Sequence, residues 1–241
     1  MKIDIWSDVI CPFCYIGKRK LEAALEQSGI EADIEWHSFE LDPAAPRSFG
    51  APLPEVLQKM YGFTYGQAIG MLMHEELEAR RMGLDFQWRS AKPGNTFDAH
   101  RLIHLAKQHE QQGMGGKLKE RLLRAYFSEG QDIGDQLVLR CLAIEMGLDA
   151  GEVDAVLAGE RFGDAVRADE EEAKQRGISG VPYYLINGQV SLPGMRKVEE
   201  FVRVLRDQEA MIAPRATSSE AEGGTAAAAG MCKDGFCEIQ R

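Results

Sequence analysis

Trp6-Ser7-Asp8-Val9-Ile10-Cys11-Pro12-Phe13-Cys14-Tyr15-Ile16-Gly17-Lys18 is the stretch on which the reading of this chain turns. Residues 2–6 before it place Ile3 and Ile5 on one face and read as a short strand. From Cys14 onward, Leu21, Ala24 and Leu25 recur at helical spacing, and Gly29 is a natural C-terminal cap. Two cysteines separated by two residues therefore stand where a strand gives way to a helix. A thiol at a helix N-terminus faces unsatisfied backbone N–H groups and the positive end of the dipole, both of which favour thiolate. A second thiol one turn on can attack a mixed disulfide made by the first, which is the minimum apparatus for thiol–disulfide exchange. A structural disulfide or half a metal site would account for the spacing but not for the strand-to-helix setting.

Working outward, residues 30–36 alternate again and read as a second strand, with Ile30, Ala32, Ile34 and Trp36 on one face. Pro43, Pro46, Pro52 and Pro54 then mark a crossing between units. From about Glu55 to Arg176 the pattern is almost wholly helical. Thr64 is set to cap a helix running to Met82, and Asn95 or Thr96 one running to about Gln112. Further helices are expected at 117–127, 136–146, 152–157 and 161–176, while 84–88 is ambiguous. Tyr183–Ile186 and Gln189–Leu192 flank Asn187-Gly188, a strong hairpin signal, and 197–209 carries a final apolar stripe of Val198, Phe201, Val202 and Leu205. Residues 213–230 have the composition of a linker, and beyond them lies a second pair, Cys232 and Cys237. A flexible linker of ~22 residues reaches about 25 Å, enough to bring that pair to Cys11.

With 241 residues, 44% of them hydrophobic, the chain can bury a core without using its five cysteines as staples. A formal charge of -10 disfavours nucleic acid and anionic membrane as partners. Asp4 and Asp8 interrupt the N-terminus, so it does not read as a signal peptide, and no stretch has the length of a membrane span. The expected compartment is the cytoplasm, where a Cys-x-x-Cys points to catalysis or metal binding.

The strand–Cys-x-x-Cys–helix–strand opening, the Val-Pro before a hairpin and the closing helix resemble the thioredoxin fold. The helical insertion between its halves resembles the DsbA family. Three strings, Ser7–Lys18, Asn95–Leu102 and Ser179–Gly188, are similar to the cytoplasmic FrnE-type branch of that family. The resemblance implies an α/β thioredoxin fold with an inserted all-helical domain and a flexible cysteine-bearing tail. Its first half would be residues 1–42, the insertion 43–165, the second half 166–210 and the tail 211–241. It also implies a protein disulfide oxidoreductase or isomerase. Cys11 would be the exposed nucleophile and Cys14 the buried resolving thiol. Pro182 would be a cis-proline that turns the Val181 backbone toward an extended substrate chain. Pro12-Phe13 lacks the histidine of the strongly oxidising periplasmic relatives, so a less acidic Cys11 and a less oxidising disulfide are expected.

No resident cofactor is expected beyond the redox-active disulfide, with glutathione as a candidate reductant. The expected partners are cysteine-containing proteins and a cellular thiol reductant or oxidant, and the expected state is a monomer. Cys232 and Cys237 are candidates for a second redox pair that exchanges with Cys11 and Cys14. Zinc held by all four thiols is the alternative for that pair. Kappa-class glutathione transferases and 2-hydroxychromene-2-carboxylate isomerases resemble the same layout but carry serine where Cys11 stands. A thiol-based metal-binding protein is the non-enzymatic rival. Cys141, among Leu139, Leu142 and Ile144, reads as a small buried hydrophobe. His100 and His104 read as one face of an interface helix rather than as metal ligands. His37 carries no evident signal, and Asp169–Glu172 reads as a solvated charge run. Tyr61, Phe63, Tyr65, Met71 and Met73 read as core.

Overall fold

The computed structural model describes residues 1–109, 113–212, 237 and 238. Strand β1 (Lys2–Ser7), helix α1 (Pro12–Ser28) and strand β2 (Asp33–Ser38) form a β–α–β unit in which β1 and β2 are parallel, Ile3 opposite Ile34. Seven helices follow: α2 (Leu53–Tyr61), α3 (Tyr65–Arg81), α4 (Phe97–Lys107), α5 (Met114–Phe127), α6 (Gln136–Glu145), α7 (Ala150–Ala158) and α8 (Gly163–Gln175). The chain then returns as β3 (Gly180–Val181), β4 (Tyr183–Ile186), β5 (Val190–Pro193) and α9 (Val198–Ile212). Strand β4 pairs antiparallel with β1 on the side away from β2, giving the order β2-β1-β4-β5. A two-residue strand β6 (Cys237–Glu238) pairs antiparallel with β3. This is the order that the thioredoxin-fold expectation requires.

Local chemistry explains most element ends. Thr64 Oγ1 accepts from the Gln67 N–H while the Gln67 side chain accepts from the Thr64 N–H, a complete capping box at the start of α3. Asn187 and Gly188 take φ of 50° and 69°, the left-handed pair that a tight hairpin needs. Thr96 caps α4 without a side-chain bond; the Asn95 carboxamide oxygen instead accepts from the Phe97 N–H. Helix α4 stops at Lys107, short of the expected Gln112, and the ambiguous stretch near 84–88 leads into a single 3-10 turn at Trp88–Ser90.

Three apolar clusters hold these layers. One joins α4, α5, α6 and α7 around Leu102, Leu105, Leu118 and Leu122. A second lies between the sheet and α1 with α9, through Ile3, Ile5, Leu21, Tyr184, Phe201 and Leu205. The third, Trp6, Phe39, Leu41, Ile178, Val181 and Leu185, surrounds Cys11 and Cys14. Each fully buried Leu, Ile or Phe among them contributes about 1.5–3 kcal/mol of burial.

Two core assignments are corrected. Cys141 is exposed. The buried residues of α6 are Leu139, Leu142 and Ala143, and at 100° per residue Cys141 points away from that face. Tyr61, Tyr65 and Met73 are likewise exposed, because the α2–α3 pair packs through Val56, Ala68 and Leu72 instead.

Candidate active site

Cys11 occupies the N-cap of α1 in extended backbone (φ -83°, ψ 115°), and Pro12 fills the first helical position, where no N–H is needed. The Cys11 carbonyl accepts from the N–H groups of Cys14 (3.1 Å) and Tyr15 (3.4 Å), so Cys14 lies in the first turn. The Cys11 thiol donates to the Val181 carbonyl at 3.6 Å. The Val181–Pro182 peptide is cis, and the Pro182 carbonyl is tied by the Gly194 N–H at 2.7 Å. Strand β6 runs along this same segment, with Cys237 opposite Val181 and Glu238 opposite Gly180. Cys232 lies outside the described residues.

The expected exposed Cys11 is corrected: Cys11 is 0% and Cys14 2% exposed. Apolar side chains pack around both cysteines, and the β3 backbone meets the Cys11 sulfur. Burial, together with the hydrogen bond and charge of Cys11, pushes the Cys14 thiol well above the usual range; the Lys119 charge and the Asp8 backbone N–H pull the other way.

Gly17 lets α1 approach β4. A Cβ there would meet the Tyr184 hydroxyl at 2.3 Å and Pro182 Cγ at 3.4 Å, so any larger residue at 17 would force the buried Tyr184 ring to shift. Neither Gly17 nor Tyr184 carried a site signal in the sequence.

A polar floor lies beneath the pair. The Asp8 carboxylate, fully buried, accepts from the N–H groups of Val9 (2.7 Å) and Leu41 (2.8 Å) and pairs with His100 Nε2 (3.2 Å). Burial would raise the Asp8 carboxyl, but His100, Leu41 and Lys119 outweigh it and hold it below its ordinary value. Burial also lowers His100, and the Lys119 charge adds to that against the pull of Asp8. Lys119 comes from α5 in the helical stretch; its Nζ donates to the Ser7 carbonyl at 3.0 Å and is 1% exposed. Next to it on α5, Glu120 accepts from the Tyr15 hydroxyl (2.7 Å) and pairs with Lys18 and Arg19, fastening α5 to α1.

A second polar cluster joins β1, β2, α4 and α8. His37 bridges Asp4 and Asp169 at 3.0 Å each, with its ring stacked on Trp6 at 4.4 Å. Asp169 also accepts from the Ser38 N–H (2.7 Å) and pairs with His104 (3.1 Å). Asp169 is thus no solvated residue, and His37 is far from featureless. Glu40, whose side chain is fully buried, takes Asn95 (3.2 Å) and Arg167 (2.6 Å); burial raises it to about 8. His100 and His104 do mark an interface helix, one contacting Asp8 and the other Ser38 and Asp169. Among the described residues no group of three or more His, Cys, Asp or Glu side chains converges as metal ligands would.

Comparison with known proteins gives one consistent picture. The family model of the DSBA-like thioredoxin domain matches residues 2–206. A probable DsbA oxidoreductase from Streptomyces coelicolor is 34% identical and superposes with a TM-score of 0.81 over 98% of each chain. The cytosolic disulfide reductase DsbM from Pseudomonas aeruginosa, solved with GSH, shares the fold at 21% identity. Its TM-score is 0.61, over 87% of this chain and 100% of that one. An uncharacterised protein of Bacillus subtilis strain 168, YwbO, is 28% identical over 209 residues, 86% of this chain and 96% of its own.

Proposed function

We propose that this chain, which belongs to the family of DSBA-like thioredoxin domains, exchanges disulfides with cysteine-bearing proteins through Cys11 and Cys14. The family is one of thiol–disulfide oxidoreductases; the protein substrate, the residues and the direction of exchange are our reading. The observation that carries it is the meeting of Cys11, at the N-cap of α1, with the Val181 carbonyl at 3.6 Å beside Pro182. An extended chain laid on β3 would bring its cysteine to this point, and β6 pairs with Val181 in that manner.

Cys11, as thiolate, attacks one sulfur of a substrate disulfide and releases the other as a substrate thiolate. Cys14 then attacks Cys11, freeing the second substrate thiol and leaving a Cys11–Cys14 disulfide that a cellular thiol such as glutathione reduces. Run backward, the same steps oxidise a substrate dithiol. The enzyme works as a monomer in the cytoplasm. The described residues include no helix long and apolar enough to cross a membrane. Cys232 and Cys237 act as a second pair that exchanges with the first, a role supported by the register of β6.

Cys11→Ser should abolish both insulin reduction and recovery of scrambled ribonuclease; retention of either activity would refute the role of Cys11. Removing residues 213–241 should change turnover or the resting redox state of Cys11–Cys14. Identical values for both would remove the second pair from the mechanism while leaving the first intact.

A further inference from the structure

Lys119 is the least expected residue in this molecule. A lysine with 1% exposure is costly, because its charge must be taken out of water. It lies in α5, far from Cys11 in sequence, yet it is directed at the end of β1 where the active-site loop begins, through its bond to the Ser7 carbonyl. Its Nζ also lies over an aromatic ring, Trp36, at 5.9 Å from the centroid. The groups that act on it most strongly are Cys14, Asp8 and Cys11, in the site and its floor, and Asp169 of the second polar cluster, with His100 on α4 paired to that same Asp8. Burial lowers it to about 8, and the carboxylates of Asp8 and Asp169 work against that fall, so it is a cation at neutral pH. An apolar side chain would fill the space without the desolvation cost, but it would leave the Ser7 carbonyl without this donor and Asp8 without this cation.

We propose that Lys119 is the buried cation that stabilises thiolate charge on the Cys11–Cys14 pair, a positioning residue supplied to the thioredoxin half by the helical stretch. Asp8, held by the Val9 and Leu41 N–H groups and by His100, is the counter-charge that keeps Lys119 protonated. The inference rests on the exchange reading above and adds to it a source for the pair's redox poise. Cys14 must lose its proton before it attacks. As the Cys14–Cys11 bond forms, the Cys11–substrate bond breaks, and its electron pair leaves with the substrate sulfur. The departing substrate thiolate takes up the proton that Cys14 has shed. A nearby cation eases this step because it favours the charged sulfur in a site that burial makes hostile to charge. It also stabilises the reduced state against the disulfide, so it makes the pair a stronger oxidant.

The test uses the full chain and a glutathione redox buffer, with thiolate absorbance at 240 nm followed against pH. Lys119→Met, close in volume and uncharged, should shift the equilibrium with glutathione about tenfold toward the protein disulfide, about 30 mV. It should raise the pH at which thiolate appears. Lys119→Arg retains the charge and cannot titrate. It should stay within about twofold of wild type at pH 7 and separate from it above pH 8, where Lys119 gives up its proton. A folded Lys119→Met with an equilibrium constant within twofold of wild type overturns the proposal. So does an Arg variant that tracks wild type across pH 7–9, and this second arm decides the matter if the Met variant does not fold. Failure of the exchange reading itself would look different: wild type would reach no equilibrium with glutathione at all.

Discussion

Two aspartate–histidine pairs flank β1, and their histidines are shifted in opposite directions. On the active-site side, His100 meets one carboxylate, Asp8, with Lys119 nearby and no solvent; burial and that cation lower it. On the other side, His37 meets two carboxylates, Asp4 and Asp169; burial lowers it, but the two hydrogen bonds and the charge of Asp169 win, so it is raised toward the cation. The same residue types at similar contact distances thus push one histidine down and the other, clamped between two carboxylates, up. Each has a cation nearby that lowers it, Lys119 for His100 and Lys107 for His37, so what decides is the number of carboxylates and the depth of burial.

Removing the single carboxylate on the active-site side should expose this contrast most sharply. Asp8→Ala leaves the Val9 and Leu41 N–H groups, His100 and the Lys119 charge without their partner. A loss of about 3–5 kcal/mol is expected by urea denaturation. A loss under about 1 kcal/mol would mean that the floor is not a paired site.

Asp169→Asn should cost less, about 2 kcal/mol, and its signature is the pH dependence. A histidine raised in the folded state adds stability that is fully present below its ordinary value of 6.5 and fades as pH rises through the higher folded value. Wild type minus variant should therefore shrink between pH 6 and 8. Glu40 and Glu75, both raised to about 8 by burial, add a slope of the same sign to each protein and cancel in the difference. An unchanged difference would break the clamp reading of His37.

His100→Gln should have the smallest effect, about 1 kcal/mol, with the opposite slope. A histidine lowered in the folded state must remain uncharged while the unfolded chain takes a proton, so stability falls as pH drops below 6.5. The Gln variant should lose that acid sensitivity. Equal acid slopes in variant and wild type would show that His100 is charged in the fold.

How far these regions could be read from the chain follows from the range of their contacts. The strand–Cys-x-x-Cys–helix unit, the Asn187-Gly188 hairpin and the Thr64 capping box are local, and each is written in a few adjacent residues. The Asp8–His100 pair spans 92 positions and His37–Asp169 spans 132, distances over which a single sequence carries no pairing signal. Asp169 reads as one more charge in an acidic run, and only the packing of α8 on β2 turns it inward. The neighbours of Cys141 are apolar, but apolar neighbours alone do not fix the phase of a helix, and the cysteine fell on the outer side. The enclosure of Cys11 was hidden for the same reason: it depends on β3, which returns only after α8.

The pairing of Ile3 with Ile186 has a thermodynamic side as well. The two halves of the redox centre are joined by a connection of roughly 140 residues between β2 and β3, where a plain crossover would need about 20. Closing the longer loop adds only about 2 kcal/mol of chain entropy, since the cost grows with the logarithm of length. The helices α2 to α8 bury a core of their own that offsets it. Such a loop can lengthen, shorten or change its outer surface with little penalty to the sheet, provided its ends still meet. The exposed α2–α3 pair is where that freedom is greatest. Helix α5 is where it is least, because Lys119 and Glu120 tie it to the ends of β1 and α1.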